Sequence, residues 1–351
     1  MLEFETVTLD HQNWIGQSSD DLGYTGDFLR TASIEQYSPD MNVACVDARP
    51  NGVGPTIIGS TSLDERLTPF YLHCMAVNAK HRGARLLMSD VRGVRMDVEN
   101  PVHVGWAHQT STQTLEAFRG NPEPIGAEQL RALDEVYGFE EGEDIEIEAH
   151  SLANFWAYGM IKAIATRSFE KRLTITKLHM IEPVNSYGKL SVQGLMKEML
   201  SLSTVEMDLE KRYIAENKDI GHGNVIPFDN ESKQNKRIDR VLKMRQFVSS
   251  HVAGAGIRIG LDTLAGDILK DRSVDGAGLH EAEIIISHGA HSTVSRRDDI
   301  LRLARTIKEA GGNVRLLEYI TGKGDNTPIA HSVFRSLGRI AERGIGLANL
   351  A

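Results

Sequence analysis

The stretch IEIEAHSLANFWAYG, residues 145–159, changes periodicity at its centre. Up to Ala149 polar and apolar residues alternate as in a strand, and from Leu152 the apolar residues follow helical spacing. The join Ala149-His150-Ser151-Leu152-Ala153 contains neither proline nor a polar loop, so the chain must turn sharply with a serine at the apex. In an open α/β sheet, active sites gather beyond the carboxyl ends of the strands. A strand–serine–helix turn sets the hydroxyl at that edge. It also points the first amides of the helix at the same place, where they can hold a developing negative charge. So tight a turn needs small residues two positions before and two after the serine, and here both are alanine. The chemistry this arrangement offers is nucleophilic attack by Ser151, with the Leu152 amide as one oxyanion donor. The competing structural role is a serine capping the helix that follows. His150 lies beside the apex of the turn and points elsewhere, which suits a packing or elbow-shaping residue.

Other chemistries find little support. The Gly-x-Gly of NGVGPTIIG precedes a strand, whereas a dinucleotide fingerprint joins a strand to a helix. The chain has no GxxxxGK[ST] phosphate loop and no HExxH zinc pair. His288 and His291 are close in sequence but have no acidic or cysteine cluster with them, so no metal is expected.

The elements that must position Ser151 follow an α/β rhythm. The first fifty residues hold the strand-like pieces FETVTL and NVACVDA, which suggest an edge of antiparallel strands. PTIIGSTS, ARLLMSDVRG, LTITKLHMIEPV, HEAEIIISHG and NVRLLEYITG read as buried strands. Helical patterns lie between them: PFYLHCMAVNAKHRG, AEQLRALDEVYGF with Leu130, Leu133 and Tyr137 on one face, the helix after Ser151, and SRRDDILRLARTIKEAGG. Ser295-x-x-Asp298 looks like a capping box for the last of these. A loop, KGDNTPIAHS, then leads into a final helix, VFRSLGRIAERG. From about Asn185 to Gly278 the strand signal fades into helical and polar stretches. The expected architecture is a mostly parallel sheet with helices on both faces, residues 1–184 and 279–351, interrupted by a helical cap at 185–278.

Bulk properties narrow the function. The chain has 351 residues and a formal net charge of −9, which disfavours nucleic-acid binding as its main task. No apolar run is long enough to span a bilayer, and MLEFETVTLDHQNW lacks a signal-peptide pattern. Two cysteines, Cys45 and Cys74, give no disulfide framework, so a reducing, cytoplasmic setting is expected.

The small-x-Ser-x-small turn, the order of elements around it and the position of His331 after the last strand resemble the α/β-hydrolase fold superfamily across residues 53–345. That resemblance implies a serine hydrolase acting on an ester, thioester or related acyl bond without a cofactor. It makes His331 the base that takes the Ser151 proton. It places the second half of the oxyanion hole at the end of IIGSTS, with Gly59, Ser60 and Thr61. It also implies an acid after the HEAEIIISHG strand, and there the chain departs from the pattern, because Ser292 occupies that position. A minority of the family carries the acid one strand earlier, and Glu182-Pro183 looks similar to that arrangement. Glu182 is therefore the expected acid. Asp325, in the loop before His331, is the alternative, and Asp298 and Asp299 read as helix-start residues. The cap methionines Met196, Met199, Met207 and Met244 suit an apolar acyl substrate or core packing. The second expectation, which Ser292 favours, is a catalytically silent member that binds a small ligand or partner through its cap.

Overall fold

The computed structural model describes residues 2–9, 33–38, 41–61, 67, 72, 75–76, 79, 82–91, 116, 120–151, 153–183, 269, 277–292 and 295–321. Leu152, Asp325, His331 and all of the expected cap except Leu269, Ala277 and Gly278 lie outside the described residues.

A 9-stranded sheet organises the described residues. Its strands are β1 (Phe4–Leu9), β2 (Ser33–Ser38), β3 (Met41–Asp47), β4 (Thr56–Ser60), β5 (Arg85–Ser89), β6 (Glu143–His150), β7 (Leu173–Ile181), β8 (Glu283–Gly289) and β9 (Asn313–Thr321). Their spatial order is β1-β9-β8-β7-β6-β4-β5-β3-β2. Every pairing from β1 to β5 is parallel, and the last two, β5 with β3 and β3 with β2, are antiparallel. The expected antiparallel edge thus holds for NVACVDA, which is β3, but not for FETVTL, which is β1; β2, the outermost antiparallel strand, was not singled out from the sequence. FETVTL crosses to the opposite edge and runs parallel to β9, with Phe4 opposite Leu316. Arg315 secures it there, forking onto Glu5 at 2.7 Å and 2.9 Å.

Three helices are described in full: α1 (Glu123–Tyr137), α2 (Ala153–Thr166) and α3 (Arg297–Glu309). In α3 the buried residues Ile300, Leu303, Ala304 and Ile307 repeat at helical spacing and give one apolar stripe. α2 is buried on nearly all sides, from Ala153 to Ala165. All three contribute to one apolar cluster with Ile58, Ile145, Ile147, Ala149, Leu178, Met180, Ile284, Ile286 and Leu316, one face of the sheet. A second cluster joins Ile57, Leu86 and Met88, from the other face, to Leu72, Met75, Ala76 and Ala79. The sheet is therefore covered on both sides, as a parallel sheet must be.

α1 and α2 meet backbone to backbone. A methyl added at Gly126 would collide with the main chain of Gly159 and Met160, and one at Gly159 with Pro122 O. α2 begins two residues after the serine, so this contact helps to set where the elbow helix lies against the sheet. Ala165, one of many alanines in α2, shows that a methyl is tolerated on this helix away from the crossing. Gly159→Ala should therefore cost about 3 kcal/mol of unfolding free energy, the upper range for overpacking a close contact. Urea unfolding with fixed m-value is the measurement.

Candidate functional site

The chain order reverses at β4 and β6. After β4 the chain moves to β5, then jumps back across β4 to β6 and continues outward through β7, β8 and β9. A crevice outside the carboxyl ends of the strands opens at such a switch point. β4 ends there in Ser60 and β6 in His150, immediately before Ser151.

Ser151 has φ 57, a left-handed backbone that non-glycine residues seldom adopt. The residues framing it, His150 and Ala153, are buried, whereas Ser151 is partly exposed. Its N–H donates to Ile181 O at 2.9 Å, closing the turn against the next strand. Asn154 locks the turn from the helix side. Its Nδ2 donates to Ser151 O at 2.8 Å and to Ile181 O at 3.2 Å. Asn154 N–H also donates to the serine's carbonyl oxygen, at 3.3 Å. Asn154 was not singled out from the sequence. The only available signal was a polar side chain in the first turn of an otherwise apolar helix.

Glu182 follows Ile181 directly and also has a left-handed backbone, φ 46. Its side chain is fully buried. Oε1 accepts the Gly289 N–H, and Oε2 accepts the Ser292 hydroxyl at 2.7 Å. Its own N–H donates to Ser287 O at 2.8 Å. Thus Ser292, at the position where the acid was first expected, is hydrogen-bonded to the carboxylate one strand away. The expected capping box at Ser295 does not form. α3 starts with Arg296 as N-cap without a side-chain cap, and Ser295 Oγ donates to Pro183 O at 2.8 Å. Asp299 accepts from Arg296 Nε at 2.7 Å at the start of the helix.

At the end of β4, Ser60 Oγ accepts from Gln129 Nε2 at 2.7 Å and donates to Thr61 O at 3.3 Å. Thr61 N–H is taken by Ser89 O at 3.2 Å. Gly59 packs against Met88, with Glu148 O beside it. Asp90 ties this edge down, accepting from Leu67 N at 2.6 Å and Asn42 N at 3.3 Å. Ser60 and Ser151 thus belong to neighbouring strand ends at the same rim. Among the described residues no group of His, Cys, Asp and Glu is arranged to hold a metal ion.

His288 lies beneath Glu182, with Nδ1 at 3.6 Å from Oε1, and is also buried. Its other neighbours are the Phe4 ring at 5.9 Å and, electrostatically, Glu318 and Arg297. Burial outweighs the attraction of Glu182 and Glu318 and holds the imidazole below its ordinary pKa, so it is neutral near pH 7. The sign of the linkage follows. As pH falls past 6.5 the unfolded chain takes up this proton before the folded one, so the folded state loses stability from that point down to the lowered folded pKa. His288→Phe should remove this component and flatten the loss between pH 7 and pH 5, a change of at most about 1.4 kcal/mol per pH unit. Denaturant titrations of both proteins across that range provide the check.

No protein-family model and no curated protein sequence matches the chain. Solved structures do. A protein from Acinetobacter baumannii AYE assigned as a lipase aligns over 93% of both chains, with TM-score 0.50 and 13% identity. The thioesterase domain from the curacin biosynthetic pathway covers 91% of this chain and 98% of its own, with TM-score 0.43 and 11% identity. The enol-lactonase from Burkholderia xenovorans LB400 covers 90% and 100%, with TM-score 0.44 and 11% identity. The strand order, the switch point at β4 and β6, and the likeness to the Acinetobacter structure establish that this chain has the α/β-hydrolase fold.

Proposed function

We propose that the chain is a serine hydrolase of ester, thioester or related acyl bonds, with Ser151 as nucleophile, His331 as base and Glu182 as acid. The observation that carries this reading is the left-handed Ser151, partly exposed at the switch point of a parallel sheet. Backbone strain of this kind costs about 1–3 kcal/mol and persists where the surroundings over-determine it, commonly at functional sites. Here the Ile181 carbonyl and Asn154 do so. A serine that served only as a helix cap would need no such conformation.

In this reaction Ser151 Oγ bonds to the acyl carbon while its proton passes to His331. The oxyanion is held by the Leu152 amide and by a group at the β4 rim, where Gly59 and Ser60 end the strand. His331 then gives its proton to the leaving alcohol or thiol as the acyl–leaving-group bond breaks. Water, deprotonated by His331, releases the acid and restores Ser151. Glu182 orients the imidazole and supports its charge. No cofactor enters the cycle. A small acyl compound with an apolar acyl part is the proposed substrate class. The lipase assignment of the Acinetobacter fold neighbour belongs to the same class of reaction.

A second reading, a silent ligand-binding member of the fold, draws on Glu182 being buried and bonded on both oxygens, as a purely structural carboxylate would be. A carboxylate has about four acceptor sites, so two bonds do not by themselves make it purely structural. A fluorophosphonate probe separates the readings, because phosphorylation requires an activated serine. Wild type should label, Ser151→Ala should not label at all, and His331→Ala should label at least about a thousandfold more slowly. Absence of wild-type labelling from pH 6 to pH 9 would favour the silent reading.

A further inference from the structure

Ser292 occupies the strand end where an acid was expected, and its hydroxyl touches the carboxylate proposed as the acid. The direction of that hydrogen bond is fixed by simple counting. A serine hydroxyl has one proton, and Ser292 Oγ already accepts the Ser295 N–H at 3.1 Å. An ionised carboxylate only accepts, so the Ser292 proton lies on the 2.7 Å line to Glu182 Oε2. Gly289 N–H takes the other oxygen. The turn that carries both donors is itself closed by Ser292 N–H to Gly289 O at 2.9 Å. Ser295 Oγ then grips Pro183 O, one residue beyond Glu182, at 2.8 Å. The β8–α3 turn therefore holds the chain at Glu182 through side chain and main chain together.

A glutamate has one more rotatable bond than an aspartate, and an orienting carboxylate works only if its plane is held to within a small angle. Two donors from one rigid turn, one on each oxygen, determine that plane. We infer that Ser292 is a positioning residue, whose hydroxyl holds the plane of the Glu182 carboxylate so that a lone pair stays directed at the catalytic imidazole. This rests on the reading of Glu182 as the acid. It also accounts for the replacement of the expected acid by serine: with the carboxylate arriving from β7, a second carboxylate at 292 would repel it, whereas a hydroxyl donates to it.

The test uses the full chain and a fluorophosphonate probe, measuring the maximal labelling rate and the half-saturating probe concentration separately. Ser292→Ala should lower the maximal rate about tenfold, as expected for loss of a hydrogen bond to a charged group, and leave half-saturation unchanged. Ser292→Thr, which keeps the hydroxyl, should return to within about twofold of wild type, a rescue that a packing role would not give. Glu182→Gln should be slower than either. If Ser292→Ala labels at the wild-type rate while Glu182→Gln is slow, the positioning role is overturned and the acid assignment stands. If Glu182→Gln also labels at the wild-type rate, the acid assignment itself has failed and the inference with it. If Ser292→Ala is slow but Ser292→Thr is equally slow at an unchanged melting temperature, the hydroxyl is not what matters and the inference is overturned.

Discussion

The Ser151 N–H donates to Ile181 O, and the rest of the candidate site depends on that bond. Two parallel strands, β6 and β7, reach the same rim, and each leaves it through a left-handed residue, Ser151 at φ 57 and Glu182 at φ 46. Neither conformation is favourable by itself. Asn154 Nδ2 bridges the Ser151 and Ile181 carbonyls, and Glu182 N–H continues the chain of bonds to Ser287 on β8. The proposed nucleophile and the proposed acid are thus placed by the ends of three adjacent strands instead of by long loops. Sites carried on regular elements are held more tightly than sites on loops, and triad chemistry needs that precision.

This arrangement also explains which parts were legible in the sequence. The elbow could be read because it combines a switch in periodicity with alanines on both sides of a serine, and both are local signals. β4, β5 and β8 could be read because strands buried on both faces become short apolar runs. The edge chosen by β1 could not, because six residues of FETVTL fit either edge and the deciding partner, Arg315, is remote in sequence. The capping box at Ser295 failed for a related reason. The local motif was present, but the carbonyl of Pro183 was a better-placed partner for the hydroxyl. Ser292 registered from sequence only as a missing acid. Its actual partner is 110 residues away, and only the parallel pairing of β7 with β8 brings them together.

β6 shows a subtler conflict. EDIEIEAH alternates like a strand with one face in water, yet it is the fifth of nine strands and is buried. Its apolar residues Ile145, Ile147 and Ala149 join the cluster with α1, α2 and α3. Its polar residues are neutralised within the sheet. Arg82 forks onto Glu146 with both of its terminal nitrogens. One strand over, Lys177 pairs with Glu283 at 3.2 Å, and Arg315 reaches the same carboxylate at 3.2 Å. Burial opposes ionisation of Glu283, but those two cations together hold its pKa below the ordinary value.

Closer to the rim a chain of polar contacts crosses four strands. Glu148 Oε2 lies 3.7 Å from His179 Nδ1, His179 Nε2 is 2.6 Å from Ser287 Oγ, and Tyr319 hydrogen-bonds to Ser287 in turn. Burial pushes the Tyr319 phenol well above its ordinary pKa, so it keeps its proton at physiological pH. His179 Nδ1 faces Glu148 and Nε2 faces Ser287, so each ring nitrogen has a polar neighbour. Ser, His and Glu occur here in the same sequence of contacts as in a catalytic triad, but Ser287 is fully buried and its carbonyl already receives Glu182 N–H. The chain therefore ties the middle of β6, β7, β8 and β9 together two residues below the rim. A one-residue slip of any of these strands would turn its member of the chain to the opposite face and leave a buried polar group unpaired, at a cost of about 1–3 kcal/mol. An all-apolar sheet would pack as well and tolerate such slips more readily. Register at this depth decides whether Ser151 and Glu182 arrive at the rim together, so the polar chain secures the positions on which the proposed chemistry relies.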